Sequence, residues 1–245
     1  MKAHYILTLA SFSALTCISI CASAQAQTTV PKAPKKSLYL SQPPLNFAAV
    51  VPPPPAAGSA ADKADLAAVH AAQASRTAKQ IAAAKHDDAE EDIFIYATVL
   101  GDRFNEQALP LTAALSRHVR NEAGTVSPSL KELWGRPRPF VTDKTVHAIC
   151  EQKIEPSYPS GHSMVSYLEA FTLAQMVPEH ASEILARASD YAHNRVICGV
   201  HYPSDTEASR LASMAEFGAL STSPKFQEEL SAARKELRTA LNLPL

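Results

Sequence analysis

Three short segments of this 245-residue chain bring together cations, a hydroxyl, two histidines and an acid. The first is Lys131-Glu132-Leu133-Trp134-Gly135-Arg136-Pro137-Arg138-Pro139. The second is Pro159-Ser160-Gly161-His162, and the third runs from Asn194-Arg195 to His201-Tyr202-Pro203-Ser204-Asp205. Read alone, each has an ordinary explanation: Lys131 and Arg138 as solvated cations, Ser160 as a helix cap, Arg195 as a cation at a helix C-terminus. Read together they make one reagent set. Pro137 and Pro139 stiffen the backbone on both sides of Arg138, which suits a guanidinium meant for bidentate contact with an oxyanion. Ser160 and Gly161 stand where a loop becomes a helix, and a helix start offers unpaired N–H groups and partial positive charge. Asp205, four residues after His201, can accept from one ring nitrogen and leave the other with a free lone pair. Charge neutralisation, an in-line nucleophile and a proton donor, His162, are what phosphoryl transfer needs.

Helices must hold these groups. Asp62 to Lys85 is alanine-rich without Pro or Gly and reads as one long helix. Residues 89–104 place Ile93, Tyr96, Ala97 and Leu100 on one face at the 3.6-residue period. A further helix is expected over 106–122, kinked or starting late at Pro110. Ser127-Pro128 reads as a cap and first helical position, opening a short helix through Trp134. Gly135 to Ser160 is expected to be loop, with helices at 161–176, 179–199 and 203–220, and a last one opened by Ser223-Pro224. No convincing alternating strand occurs, so the fold class is all-α. Tyr158 and Tyr202 adjoin the segments and are candidates to line an entrance.

The three segments resemble the signature of the class A bacterial non-specific acid phosphatases, within the type 2 phosphatidic acid phosphatase superfamily. That signature reads Lys, six residues, Arg-Pro; then Pro-Ser-Gly-His; then Ser-Arg, five residues, His, three residues, Asp. Asn194 stands where the signature has Ser; every other position is met. The resemblance implies a helical bundle with an extended proline-rich N-terminal arm. It implies an acid phosphatase that turns phosphomonoesters into alcohol and inorganic phosphate through a phosphohistidine. His201 would be the nucleophile, His162 the acid and then the base, and Asp205 the residue orienting His201. Lys131, Arg138, Ser160, Gly161 and Arg195 would hold the phosphate oxygens. No metal and no cofactor is implied, and the family suggests a homo-oligomer.

The remaining sequence fits an exported protein. Met1-Lys2, an apolar run from Tyr5 to about Ile20 and Ala22-Ser23-Ala24 read as a cleaved signal peptide over 1–24, with Cys17 and Cys21 inside it. The apolar run is short for a span of about 20 residues, so a periplasmic product without a membrane anchor is expected. Residues 25–58, with the run Pro52 to Pro55, read as the extended arm, and 59–245 as one helical domain. The formal net charge is −1, which argues against nucleic acid as the partner and leaves small phosphomonoesters. Cys150 and Cys198 remain after the leader; export favours a disulfide between them over two buried free thiols.

Overall fold

A computed structural model describes Met1, residues 35–40 and residues 45–245. The expected signal peptide and the first ten residues of the arm lie outside the described residues. Residues 35–245 belong to one compact unit, and all regular structure among the described residues is helical. Its longer helices are α1 (Ala60–Ser75), α2 (Ala78–Ala89), α3 (Pro110–Trp134), α4 (Gly161–Met176), α5 (Ala181–Ile197), α6 (Pro203–Leu220) and α7 (Pro224–Ala240). No helix among them is long and apolar enough to cross a membrane.

The helix α4 is the axis of the bundle. It packs against α3, α5, α6 and α7. Met164, Val165, Leu168, Ala170, Leu173 and Met176 are all buried around its circumference, as expected of a helix with no solvent face. One stripe of it is polar: Ser160, Ser163, Ser166, Glu169 and Thr172 recur every third residue and are buried too. Part of that stripe is satisfied within α4 and part from neighbouring elements, while Glu169 Oε2 has no partner among the described residues. Tyr96 Oη donates to the Ser166 carbonyl at 2.8 Å, and Ser116 Oγ of α3 donates to Glu169 at 2.6 Å. The arm is fastened to the same body. Tyr39 is buried edge-on against Phe226 and donates to Glu229, while Ser37 Oγ and the Leu38 amide both donate to Glu122.

Three expectations about helices are corrected. The stretch 62–85 is two helices: Thr77 and Gln80 form a capping box that starts α2 and breaks the run after Ser75. Residues 89–104 form a single 3₁₀ turn (Ile93–Tyr96) and one α-turn (Ala97–Leu100), ended by Gly101 at φ +82°. Finally, Ser127-Pro128 does not open a helix, because α3 runs through it from Pro110 to Trp134. Continuous packing on α4 and α7 holds the helix together across the missing N–H of Pro128. The α3 helix then stops at Gly135, left-handed at φ +55°.

Cys150 and Cys198 are joined by a disulfide, with Cα atoms 5.3 Å apart. It ties the loop after Arg138 to the end of α5. Beside it Gly199 has φ +73°, and a Cβ there would press on Val146 at 3.2 Å and the Ala148 backbone at 3.3 Å, so the chain crosses at this point only as glycine. The bond closes a loop with a sequence separation of 48. In the chain-entropy description such a crosslink contributes about 3–4 kcal/mol. Reduction, or Cys198→Ser, is expected to lower the unfolding free energy by about that amount and to steepen the denaturant slope, because the unfolded chain expands. No free thiol among these two should titrate in the unreduced, unfolded protein.

Candidate functional site

The loop–helix junctions at one end of α4 bring all three segments together. Lys131 comes from the last turn of α3, Arg138 from the loop beyond it, and Ser160 to His162 from the start of α4. Arg195 ends α5, His201 sits in the loop that follows, and Asp205 lies in the first turn of α6. All but Gly161 and His162 are buried.

His201 is the centre. Its Nδ1 lies 3.2 Å from Asp205 Oδ2, and its Nε2 lies 3.2 Å from Arg138 Nη1. Arg138 can only donate, so Nε2 carries the lone pair and Nδ1 the proton. Burial, then the charges of Arg138, Lys131, Arg195 and His162, pull the His201 pKa well below the ordinary histidine value. The ring is therefore held neutral, with its Nε2 lone pair turned toward the Arg138 guanidinium among cations. Asp205 Oδ2 is held in turn by the Ser157 hydroxyl and by the Tyr202 amide at 2.9 Å.

The cations are close-set. Arg138 donates from Nε to the Glu155 carbonyl at 2.9 Å and from Nη1 to the Val200 carbonyl at 3.1 Å. Lys131 Nζ donates to the Pro156 carbonyl. Burial, with Arg138 adding to it, brings the Lys131 pKa down to about 8. Arg195 is bound through Nη1 to Asp88 at 2.6 Å, while its buried Nε has no partner among the described residues. An unspent buried N–H is an anion donor. Ser160 caps α4, accepting from the Ser163 amide. A Cβ on Gly161 would meet Ser127 Oγ alone, at 3.4 Å, so protein packing does not demand glycine there.

His162 differs from His201. Its Nε2 lies 2.9 Å from Glu91 Oε1, and Glu91 also pairs with Arg120 at 2.6 Å. Burial lowers the His162 pKa, the hydrogen bond with Glu91 opposes it, and Arg195 lowers it again.

Four contributors are not fixed positions of the signature. Ser157 braces Asp205, Asp88 braces Arg195, and Glu91 braces His162. The fourth, Arg136, is buried behind Asp205, 2.9 Å from its Oδ1. The same guanidinium reaches Asp65 at 2.9 Å and Asp62 at 3.0 Å, both on α1, and lies 3.9 Å from the Tyr202 ring centroid. The spacing from Lys131 singles out Arg138 in the Arg-Pro-Arg-Pro run, and nothing in it assigns a role to Arg136. Asn194, the departure from the signature, points away: it donates to Asp87 at 2.8 Å, where Arg187 also binds. Tyr158 and Tyr202 do not line an entrance. Both are buried, Tyr158 edge-on to Trp134 and Tyr202 under Arg136.

Two other features lie apart from this chemistry. Asp88, Cys150 and Cys198 place ligand-type atoms close together, but the two sulfurs are spent on the disulfide. A cavity of about 740 Å³ lies between arm residues such as Phe47 and the α3 residues Leu130 and Leu133, with Glu216 beside them, and includes none of the clustered residues.

Arg136 is a structural test of this arrangement. Arg136→Gln would leave Asp205 and Asp65 buried without their cation, a change that typically costs about 3–5 kcal/mol. Arg136→Lys should restore little, because an ammonium cannot serve three carboxylates with a planar fork. Thermal unfolding of both variants beside the wild type reads this directly; a wild-type midpoint for Arg136→Gln would contradict it.

Residues 111–227 match the family model described as PAP2 superfamily. A non-specific acid phosphatase of Salmonella typhi is 36% identical over 156 residues, covering 61% of this chain and 62% of the relative. An acid phosphatase of Zymomonas mobilis is 34% identical over 152 residues, covering 59% and 56% respectively. The chain thus spans less than two thirds of the length of these relatives. A transmembrane PAP2-type phosphatidylglycerolphosphate phosphatase from Bacillus subtilis aligns structurally at 21% identity and a TM-score of 0.49, over 69% of this chain and 87% of its own. Residues 111–227 thus match the PAP2 superfamily, and the chain is similar to these acid phosphatases over about 60% of its length.

Proposed function

We propose that this protein is an exported, periplasmic acid phosphatase that hydrolyses small phosphomonoesters through a phosphohistidine on His201, with no metal. The observation that carries this reading is the unprotonated Nε2 of His201, its lone pair directed at Arg138 inside a cluster of buried cations. The same reading extends to a mature chain that begins after residue 24, with an arm to residue 58 and a phosphatase domain from 59 to 245. It also takes the working form to be a homo-oligomer.

In the first step Nε2 of His201 attacks phosphorus, and the ester P–O bond breaks opposite it. His162 gives its proton to the departing alkoxide. Lys131, Arg138 and Arg195, with the hydroxyl of Ser160 and the amide of Gly161, neutralise the equatorial oxygens, where charge sits in the transition state. Asp205 stabilises the positive charge that develops on the His201 ring through Nδ1–H. In the second step neutral His162 takes a proton from water, the hydroxide attacks phosphorus, and the P–N bond breaks to restore the His201 lone pair. Lys131, Arg138 and Arg195 supply the charge neutralisation that a divalent cation supplies elsewhere. This makes activity in excess chelator the expected outcome.

The two histidines need opposite protonation states, which sets the pH profile. Burial and the cations depress His201 well below the ordinary value, so it is already unprotonated in mildly acidic solution. His162 must carry its proton, and its pKa in the free protein is also lowered, first by burial. The window between them lies on the acid side of neutrality, where kcat/KM should peak. Rapid quench with labelled nitrophenyl phosphate separates the roles. His162→Ala should accumulate an acid-labile phosphoprotein, because nitrophenolate leaves without help and the second step lacks its base. His201→Ala should accumulate none; equal labelling of both variants would remove His201 as the nucleophile.

A further inference from the structure

Glu91 lies in the extended link between α2 and the 3₁₀ turn at Ile93, forty residues before the first segment. Its carboxylate bridges two cations: Oε1 meets His162 Nε2 at 2.9 Å, and Oε2 meets Arg120 of α3 at 2.6 Å. Neither His162 nor Glu91 is more than a quarter exposed. A carboxylate accepts only, so Nε2 bears a hydrogen in both charge states of His162. The proton that can be given or taken then resides on Nδ1. We infer that Glu91 is a positioning residue for His162, fixing the ring with Nε2 on the carboxylate so that Nδ1 is the nitrogen that exchanges a proton with the leaving group and with water. This inference rests on the reading of His162 as the acid and base.

The surroundings explain why such a partner is needed. Arg195 of α5 and Lys153 of the long loop face His162, and both oppose its positive charge, as does burial. His201 lies across the cluster and feels the His162 charge. On the other side stand Glu91 and Asp88, the latter already paired with Arg195. Arg120 pairs with Glu91 from α3. Glu169, two turns along α4, is buried, and that burial holds its carboxyl toward the neutral form. Glu91 is thus the carboxylate in direct contact with His162. The contact works in both directions: the hydrogen bond from His162 holds the Glu91 pKa down at about 2, so the partner stays ionised throughout the working range. Loss of that charge lowers the His162 pKa further, and the acid form disappears at a lower pH.

The experiment uses the full chain, Glu91→Gln and Glu91→Asp, each with ¹⁵N-labelled histidine. Gln can still accept from Nε2–H but carries no charge. In the wild type the neutral His162 ring should give the nitrogen shifts of the Nε2–H tautomer. In Glu91→Gln its titration midpoint, and with it the alkaline limb of kcat, should move toward acid by about one pH unit, the low end for loss of an opposing neighbour. Alkyl phosphates should lose about tenfold in kcat above the limb, one unit being a factor of ten, and nitrophenyl phosphate much less. Glu91→Asp keeps the charge and should recover part of the shift. A Glu91→Gln enzyme with an unmoved His162 midpoint and an unmoved limb would overturn the inference, leaving Glu91 as a structural tie between the link and α4. His162→Ala separates this from the parent reading: if it processes alkyl phosphates as the wild type does, His162 is not the acid, and the parent reading fails instead.

Discussion

Everything near the start of α4 is arranged around one electrostatic constraint: three like charges buried side by side. Lys131, Arg138 and Arg195 are almost fully shielded from solvent, and each raises the cost of the others. Their effects register on one another: Arg138 helps bring Lys131 down to about 8, and all three help depress His201. The compensating carbonyls and acids contact the cations from beside them. The carbonyls of Glu155, Pro156 and Val200 and the carboxylate of Asp88 bind the nitrogens one by one. Asp205 is committed elsewhere, to His201, Ser157, Tyr202 and Arg136. On the proposed reading, a multiply charged oxyanion is the ligand that would meet all three donors at once.

The fold supplies this arrangement by ending helices in the same place. The α4 and α6 helices begin there, with Ser160 at the cap of one and Asp205 in the first turn of the other, so their N-terminal ends add partial positive charge. The α3 and α5 helices end there and deliver Lys131 and Arg195 from their last turns. Two more helices serve as outer braces. From α1, Asp62 and Asp65 hold Arg136, and from α2, Asp88 holds Arg195. The disulfide and the Ile149–Cys198 backbone hydrogen bond fasten the long loop to the end of α5. The strain of concentrated charge is therefore spread over six helices and a crosslinked loop.

Much of this was legible in the sequence, for local reasons. Helices α4 and α6 begin where the Ser-Gly and Pro203 signals place them, since capping and proline chemistry act within a few residues. The three segments converge as their joint composition suggests. Other features depended on distant partners. The break at Thr77 needed a capping box inside a stretch without Gly or Pro, and the continuity of α3 through Pro128 needed the surface of α4. Arg136 and Glu91 carry no spacing signal at all, because their partners lie about seventy residues away in sequence and meet only in the folded bundle.

His201 Nε2 is the atom proposed to bond to phosphorus within this cation cluster. Vanadate adopts the trigonal-bipyramidal geometry of the transferring phosphoryl group and binds as a transition-state analogue. A crystal structure of the protein with orthovanadate tests the claim in one map. The expected map shows five-coordinate vanadium bonded to His201 Nε2, with equatorial oxygens on Lys131, Arg138, Arg195 and the Ser160–Gly161 helix start, and an axial oxygen facing His162. Vanadium bonded to His162, or bound away from His201, would contradict it.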